Sequence, residues 1–486
     1  MRFSASLTSA NHKILCDHLI RMDGQEDVCY ALWSPASGAQ RYSAQLTAVL
    51  LPRNGERMVH GNASTTSAYL GRAINEARSA GCGVAFLHSH PSPGWQDMSH
   101  DDVETEMKQM RAVKAATGLP LLGMTMGNDG SWSARVWSKT GPKKYERRWC
   151  ESVRVIGERG LEITFHDGLL PPPEFREELK RTISAWGEQT QLKLARTRIG
   201  VVGVGSVGSL VAEALARIGI QHIKLIDYDR VARHNLDRLL HAGRRDASRK
   251  RLKVDVIGRA ISRSATAENP IIERLSLAVT EQAGFQEALD CDLIFSCVDR
   301  PWGRHVLNYI AYSYLIPVID GGILIRRRNG RLRQASWRSH AVYPGKRCLQ
   351  CIGQYDPSYV NVERRGDLDD PTYIEGLPAE HPLRRNENVF PFSLDLASCH
   401  IIQALHILIH PVGISDLGEE IHHFVDGSTD TTRNAKCEPN CFFAGVVGRG
   451  DHAALPITGV DLTAQRVRRE LSPRLVVRFL DWISGS

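Results

Sequence analysis

A chain of 486 residues is too long for one ordinary hydrophobic core, so two domains of about 150 to 300 residues each are expected. Hydrophobic content of 42% and charged content of 24% are ordinary for a globular protein, and no tract reads as long and apolar enough to cross a bilayer, which argues against a membrane partner. The net charge of +7 is small for this length and the basic residues read as scattered, which argues against nucleic acid; the opening Met1-Arg2-Phe3-Ser4-Ala5 lacks an apolar signal region, so a cytoplasmic chain with mostly reduced cysteines is expected.

Residues 11–22 carry the apolar spacing of a short helix, and Val28-Cys29-Tyr30-Ala31-Leu32-Trp33 reads as a strand. A helix near 66–80, an apolar strand Val84-Ala85-Phe86-Leu87, a helix over 101–116 and strands near 120–126 and 132–137 complete an α+β unit, residues 1–150. Residues 151–175 read as a linker holding a hairpin over 153–165 and the triple proline 171–173, which cannot continue a helix and favours an extended segment. A helix over about 174–194 then leads into the buried-strand pattern Ile199-Gly200-Val201-Val202. Strand and helix patterns alternate to about residue 320, so the second domain, 176–486, is expected to be α/β with a doubly wound parallel sheet. The stretch 352–390 is polar and irregular, a helix follows over 394–410, and residues 455–486 carry no readable signal.

The segment from His88 to Asp102 concentrates metal-ligand side chains just beyond a strand. Two histidines one residue apart project to the same side of an extended chain, and an aspartate as third ligand would leave a tetrahedral zinc one open position for water. This run resembles the JAB/JAMM (MPN) metalloprotease family, whose signature is a glutamate, then His-x-His-Pro, then Ser-x-x-Asp. The resemblance spans about residues 10–137 and implies a catalytic zinc held by His88, His90 and an aspartate, with Ser99 holding the tetrahedral intermediate. The Ser-x-x-Asp pattern selects Asp102, whereas the family's common spacing selects Asp101; Asp102 is preferred. For the proton-shuttling glutamate Glu26 fits best, with Asp27 beside it and Glu56 as rivals.

Gly203-Val204-Gly205-Ser206-Val207-Gly208 follows a strand and opens a helix, where backbone amides and the helix N-terminus can face phosphate, and Asp227 stands where a ribose contact belongs. Alone this reads equally well as a nicotinamide site. Asp227-Tyr228-Asp229, Asn235-Leu236-Asp237-Arg238, a basic cluster and Ser296-Cys297-Val298-Asp299 together resemble the adenylation domain of ubiquitin-activating and ThiF-type enzymes over about 174–450. The resemblance implies ATP and magnesium, with Asn235 and Arg238 on the triphosphate, Asp299 on the metal, and Lys253 preferred over Lys250 and Arg251 as the neutralising base. Arg181 matches the arginine that crosses the family's dimer interface, so a homodimer is expected. Cys348, Cys351, Cys437 and Cys441 form two close pairs that would converge on a structural zinc.

Together the resemblances imply a peptidase that exposes the C-terminus of a small ubiquitin-like (β-grasp) protein and a second domain that adenylates it, as in bacterial ubiquitin-like modification. A ubiquitin-conjugating-type protein is then a further partner, and antiviral defence rests on analogy alone. A sulfur-carrier pathway and a non-catalytic scaffold are the alternatives. No cysteine stands in 352–395, and Cys399 sits in helical apolar spacing, so the expectation is that the reaction stops at the acyl-adenylate.

Overall fold

The computed structural model describes residues 1–469 apart from 61, 143, 175–176, 370–374, 376–386, 454, 456, 458 and 460, and omits the side chains of 60, 62 and 369. The end of the segment without sequence signal, 470–486, lies outside the described residues.

The first half builds one sheet. Its strands are β1 (Arg2–Thr8), β2 (Val28–Ser37), β3 (Arg41–Leu50), β6 (Gly83–Ser89), β7 (Leu121–Met126), β8 (Trp132–Gly141), β9 (Lys144–Trp149), β10 (Ser152–Gly157) and β11 (Gly160–Phe165); β4 (Arg57–His60) and β5 (Asn62–Thr65) form a separate small ribbon. The order across the sheet is β11-β10-β1-β3-β2-β6-β7-β8-β9. The period-2 alternation of a strand decides which helix covers which face. In β2, Cys29, Ala31 and Trp33 pack with Leu15 and Leu19 of α1 (Ser9–Leu19). Val28, Tyr30 and Leu32 point the other way, onto α2 (Ser67–Ala80) and α3 (His100–Thr117).

The second half follows residues 171–174, which have no regular structure, and a helical segment that is broken where one helix was expected. It divides into α4 (Lys180–Trp186) and α5 (Glu188–Arg196), because Gly187 between them takes φ 85°, outside helical space. The next strands are β12 (Arg198–Val202), β13 (His222–Ile226), β14 (Ile271–Leu275), β15 (Leu293–Ser296), β16 (Val318–Arg328), β17 (Arg331–Val342), β18 (Glu419–His423) and β19 (Thr429–Thr432). Their order is β14-β13-β12-β15-β16-β17-β18-β19, parallel from β14 to β16 and antiparallel thereafter. The helices are α6 (Ser206–Ile218), α7 (Arg244–Ser248), α8 (Lys253–Ser264), α9 (Gln282–Leu289), α10 (Pro301–Ser313), α11 (Pro357–Arg364), α12 (Phe390–Ile409), α13 (Phe442–Gly445) and α14 (Leu462–Arg469). α6, α8 and α12 share one core, and α9 and α10 line the other. α12 is long and apolar enough to cross a membrane by length and composition, unlike the sequence expectation, but Leu396, Ala397, Ile401, Ala404 and Ile407 pack it into the protein.

The segment 151–175 is not a separate linker. Its hairpin forms, but β10 pairs in parallel with β1, so it completes the first sheet, while Ile156, Leu161, Ile163 and Phe165 join the second domain's core. The units also meet through buried charge. Arg41 donates to Asp292 and to the carbonyls of Leu289 and Cys291; Asp290 accepts from the backbone of Gln40 and Arg41; Arg198 grips Glu151. Arg154, 3.8 Å from Asp292, is pushed down to about 9 by burial and by neighbouring Arg41. Such networks add little net stability when intact, but removing one partner strands the others. Asp292→Ala is therefore expected to cost about 3–5 kcal/mol, read as a lower urea midpoint, with both halves unfolding together.

Candidate functional sites

The histidine site follows from strand register. His88, in β6, pairs with Val28 of β2 on one side and with Thr125 of β7 on the other. Beyond Val28 the antiparallel pairing continues: the Asp27 amide donates to Ser89 Oγ, and the Ser89 amide to the Asp27 carbonyl. Carried two residues further, that register would set Glu26 opposite His90, on which the Glu26 charge acts. Across the site, Ser99 caps α3 in a capping box, its hydroxyl accepting from the Asp102 amide and its own amide donating to Asp102 Oδ2 at 2.7 Å. α3 is anchored by buried Glu106, which pairs with Arg135 and accepts from Trp137 Nε1 at 2.6 Å; a side chain at Gly123 would occupy that space. Arg135 also donates to Thr125 Oγ1, 3.3 Å from His88 Nε2.

His88 Nε2 lies 3.2 Å from His90 Nε2 and 3.2 Å from Asp102 Oδ1, and His90 Nε2 lies 3.3 Å from Asp102 Oδ2. Zinc bonds of about 2.0–2.2 Å put tetrahedral donors about 3.3–3.5 Å apart, so the two ring nitrogens and the Asp102 carboxylate, with one donor atom from each residue within 4.8 Å of the others, are close enough to share one such ion. Burial pushes the Asp102 carboxyl up, but hydrogen bonds from both histidines outweigh it and hold it well below the usual range; the bond to Asp102, aided by the Glu26 charge, raises His90. The rival residues face solvent or other partners. Asp101 is exposed, Glu56 is held by Arg72, and Asp27 is buried against Arg57 at 2.7 Å.

The second site lies at the C-terminal ends of β12, β13 and β15, where strand order reverses, the place at which sheets of this kind form a ligand crevice. Gly203 takes φ 86°, and a Cβ there would stand 2.5 Å from the Cys297 carbonyl; one at Gly208 would meet the Gly203 carbonyl at 2.0 Å, whereas Gly205 faces open space. The loop thus brings backbone and the α6 N-terminus close to whatever fills the crevice. Asp227 braces it, accepting from the Val204 amide at 2.6 Å and the Asp229 amide at 2.7 Å. Lys253, at the start of α8, reaches Asp229 Oδ2 at 2.7 Å. Burial lowers its ammonium, but Asp227, Asp229 and Asp299 prevail and raise it, which sets exposed Asp299 within electrostatic reach. Arg251 is paired with Asp246 and Lys250 is exposed. Asn235 closes its turn on the Ala232 amide, and Arg238 donates to the His234 carbonyl and Asp237. Arg181, exposed on α4, does not join this cluster.

The four paired cysteines converge, with sulfurs all within 4.8 Å of one another and Cys348 Sγ 3.7 Å from Cys441 Sγ. Bonds of about 2.3 Å to one zinc give a separation of about 3.8 Å. Backbone amides of Cys348 and Cys351 point at Cys437 Sγ and Cys348 Sγ, favouring thiolates. Cys399 is buried, 3.5 Å from His422 Nε2, and burial with Asp395 and Glu420 pushes its thiol to about 12, the reverse of an activated nucleophile.

Two parts had no sequence signal. α14 lies over the strand ends beside the crevice: Arg468 pairs with Glu281 at 2.7 Å, and Asp461 accepts from Thr280 at 2.6 Å. Glu363 of α11 accepts the Trp302 amide at 2.6 Å, and burial lifts its carboxyl to about 7, with the Asp299 and Asp461 charges contributing. The folded chain then holds a proton that the unfolded chain releases, so this group's contribution to stability falls as pH rises from the ordinary carboxylate range through 7. Calorimetry should show Glu363→Gln melting as wild type does near pH 4.5 and above wild type beyond pH 7, with a gap that stops growing there.

A parallel sheet with its glycine loop, lysine and aspartates at a topological switch point defines a nucleotide-binding α/β protein. The ThiF family matches residues 179–436, more than half the chain, and the chain belongs to that family. It is 30% identical over 201 residues to "Adenylyltransferase and sulfurtransferase UBA4" of Yarrowia lipolytica, covering 40% of this chain and 47% of that protein. It is 25% identical over 170 residues to "Molybdopterin-synthase adenylyltransferase" of Escherichia coli, covering 34% and 61%. The chain spans about half the length of the first of these curated relatives. Among solved structures, E. coli MccB with ATP matches at 18% identity and a TM-score of 0.42, over 56% of this chain and 75% of that one.

Proposed function

We propose that the chain activates the C-terminal carboxylate of a small β-grasp protein by transferring AMP to it from ATP. The Lys253–Asp229 pair beside Asp227 and Asp299, at the mouth of the Gly203–Gly208 loop, carries the reading. Attack of the carboxylate on the α-phosphate builds negative charge, which Lys253 and Arg238 offset, while Asp299 would hold magnesium. The loop amides seat the phosphates. Arg181, exposed on α4, fits a residue reaching a second copy's nucleotide in a homodimer. The relatives' names favour onward transfer of sulfur, so activation of a sulfur-carrier protein is the leading use of the adenylate; ubiquitin-like modification, with a conjugating-type partner, is the second.

A hydrolytic activity in the first half is supported by the His88–His90–Asp102 donor triangle. Zinc bound there would supply a Lewis acid and hydroxide at neutral pH. Glu26 would hold the proton for the leaving amine, and Ser99, which caps the ligand helix, would hold the oxygen of the reacting group. The triangle supports trimming or deconjugation of the same β-grasp protein. Glu26→Gln separates the activities: it is expected to keep bound zinc and AMP loading of the protein substrate, seen by mass, while abolishing cleavage of a C-terminally extended precursor. Undiminished cleavage sinks the hydrolytic assignment.

A further inference from the structure

The β16–β17 hairpin carries Arg326, Arg327, Arg328, Arg331 and Arg333 around an Asn329-Gly330 turn, a cluster that a reading of scattered basic residues misses. Asn329 and Gly330 take φ 53° and 75°, as a tight two-residue hairpin turn requires. The turn is therefore regular, while the ladder behind it shifts register between Arg326 and Arg327. Arg328 stands directly opposite Arg331 in the ladder, an arrangement of like charges that destabilises a hairpin. All five arginines are exposed, and among the described residues no ion pair offsets them. The only acid in either strand is Asp320, at the far end. Packing does not account for this charge.

Its position does. β16 pairs with β15 only over Val318–Asp320 and then runs on beyond the C-terminal end of the parallel sheet, the end that holds the glycine loop, Lys253 and Asp299. At about 3.4 Å per residue, the tip stands about 27 Å past Asp320. Strand alternation puts Leu324, Arg326 and Arg328, with Arg331 across the ladder, on the face of Asp320 and Gly322. At the base of the arm the opposite face is covered by α12, through Gly321 against Leu396 and His400, and Trp337 stacked on Phe392. On the arginine face Asp320 is buried against Arg304 at the base, whereas Arg326, Arg328 and Arg331 are exposed among the described residues.

Resting on the adenylation reading, a protein whose C-terminus enters the crevice must stand over this end of the sheet. We propose that the arm docks that protein by a carboxylate-rich surface. The planar guanidinium fork pairs bidentately with carboxylates, which gives orientation as well as attraction. Nucleic acid fits less well, because from Ile323 to Gln334 the arm has no aromatic side chain on which bases could stack.

The probe is fluorescent poly-L-glutamate of about 30 residues, with oligothymidylate of equal length as the competing class, followed by anisotropy on the full chain. Wild type should bind polyglutamate, and R326E/R328E/R331E should bind it at least about tenfold more weakly, with a flatter salt dependence. R328A/R331A guards against misfolding: it should melt higher, since the like-charge pair is gone, and still bind more weakly. Unchanged polyglutamate affinity in both variants, no binding by wild type, or tighter binding of oligothymidylate overturns the proposal. ATP binding measured on the same samples keeps the two readings apart: its absence from wild type sinks adenylation, whereas arm variants should leave it unchanged.

Discussion

Lys253→Ala is expected to lower ATP–pyrophosphate exchange by about 10²–10³-fold, the usual cost of removing one preorganised charge stabiliser. The lysine is already fixed: its amide donates to the Asp229 carbonyl at 2.9 Å and its ammonium to the Asp229 carboxylate at 2.7 Å, so it needs no reorganisation as charge builds on the α-phosphate. Asp227, Asp229 and Asp299 keep it protonated, so lost exchange would reflect a missing cation rather than a changed titration. Lys250→Ala is the internal control. It removes an equal charge at an exposed position and should leave exchange within about twofold, the scale of a surface charge. Equal losses in both variants would remove Lys253 from its role.

The second large effect concerns the cysteine cluster. Cys348→Ser with Cys351→Ser should remove one zinc per chain and prevent the second domain from folding, because binding energy at structural zinc, about 10–16 kcal/mol in small zinc domains, is folding energy. The cluster ties the segment after β17 to the one before α13, and Cys348 is buried among Leu349, Ile352 and Phe443. The sulfurs of Cys348 and Cys441, 3.7 Å apart, join segments more than ninety residues apart in sequence. Elemental analysis of the intact chain and loss of cooperative melting in the variant check this. A folded, zinc-free double variant would mean that the thiols are merely packed.

The sites were more legible in the sequence than the fold. His88 and His90 and the two cysteine pairs stand out by side-chain chemistry at short spacing, and the family resemblances add Asp102, Lys253 and Asp299; the structure brings each set together. The role of the 152–165 hairpin was not legible, because its two strands alternate correctly yet nothing local says that β10 pairs with β1, some 150 residues away. Arg135 and Glu106 read as ordinary charges until the Gly123 gap brings them together beneath the histidines. α14 has only one buried residue, Ala464, so its hold through Arg468 and Asp461 left no apolar period to detect. The break at Gly187 was equally hidden, since a glycine within a helical pattern is tolerated as often as it interrupts.

The central claim is that the second domain transfers AMP to a protein's terminal carboxylate. Its most direct measurement is ATP–pyrophosphate exchange with a β-grasp protein ending in a free Gly-Gly carboxylate and with the same protein amidated at that end. Exchange that requires the free carboxylate and disappears on amidation is the predicted result. Exchange equally fast with the amidated protein, or ATP binding with no exchange for either form, would contradict the account.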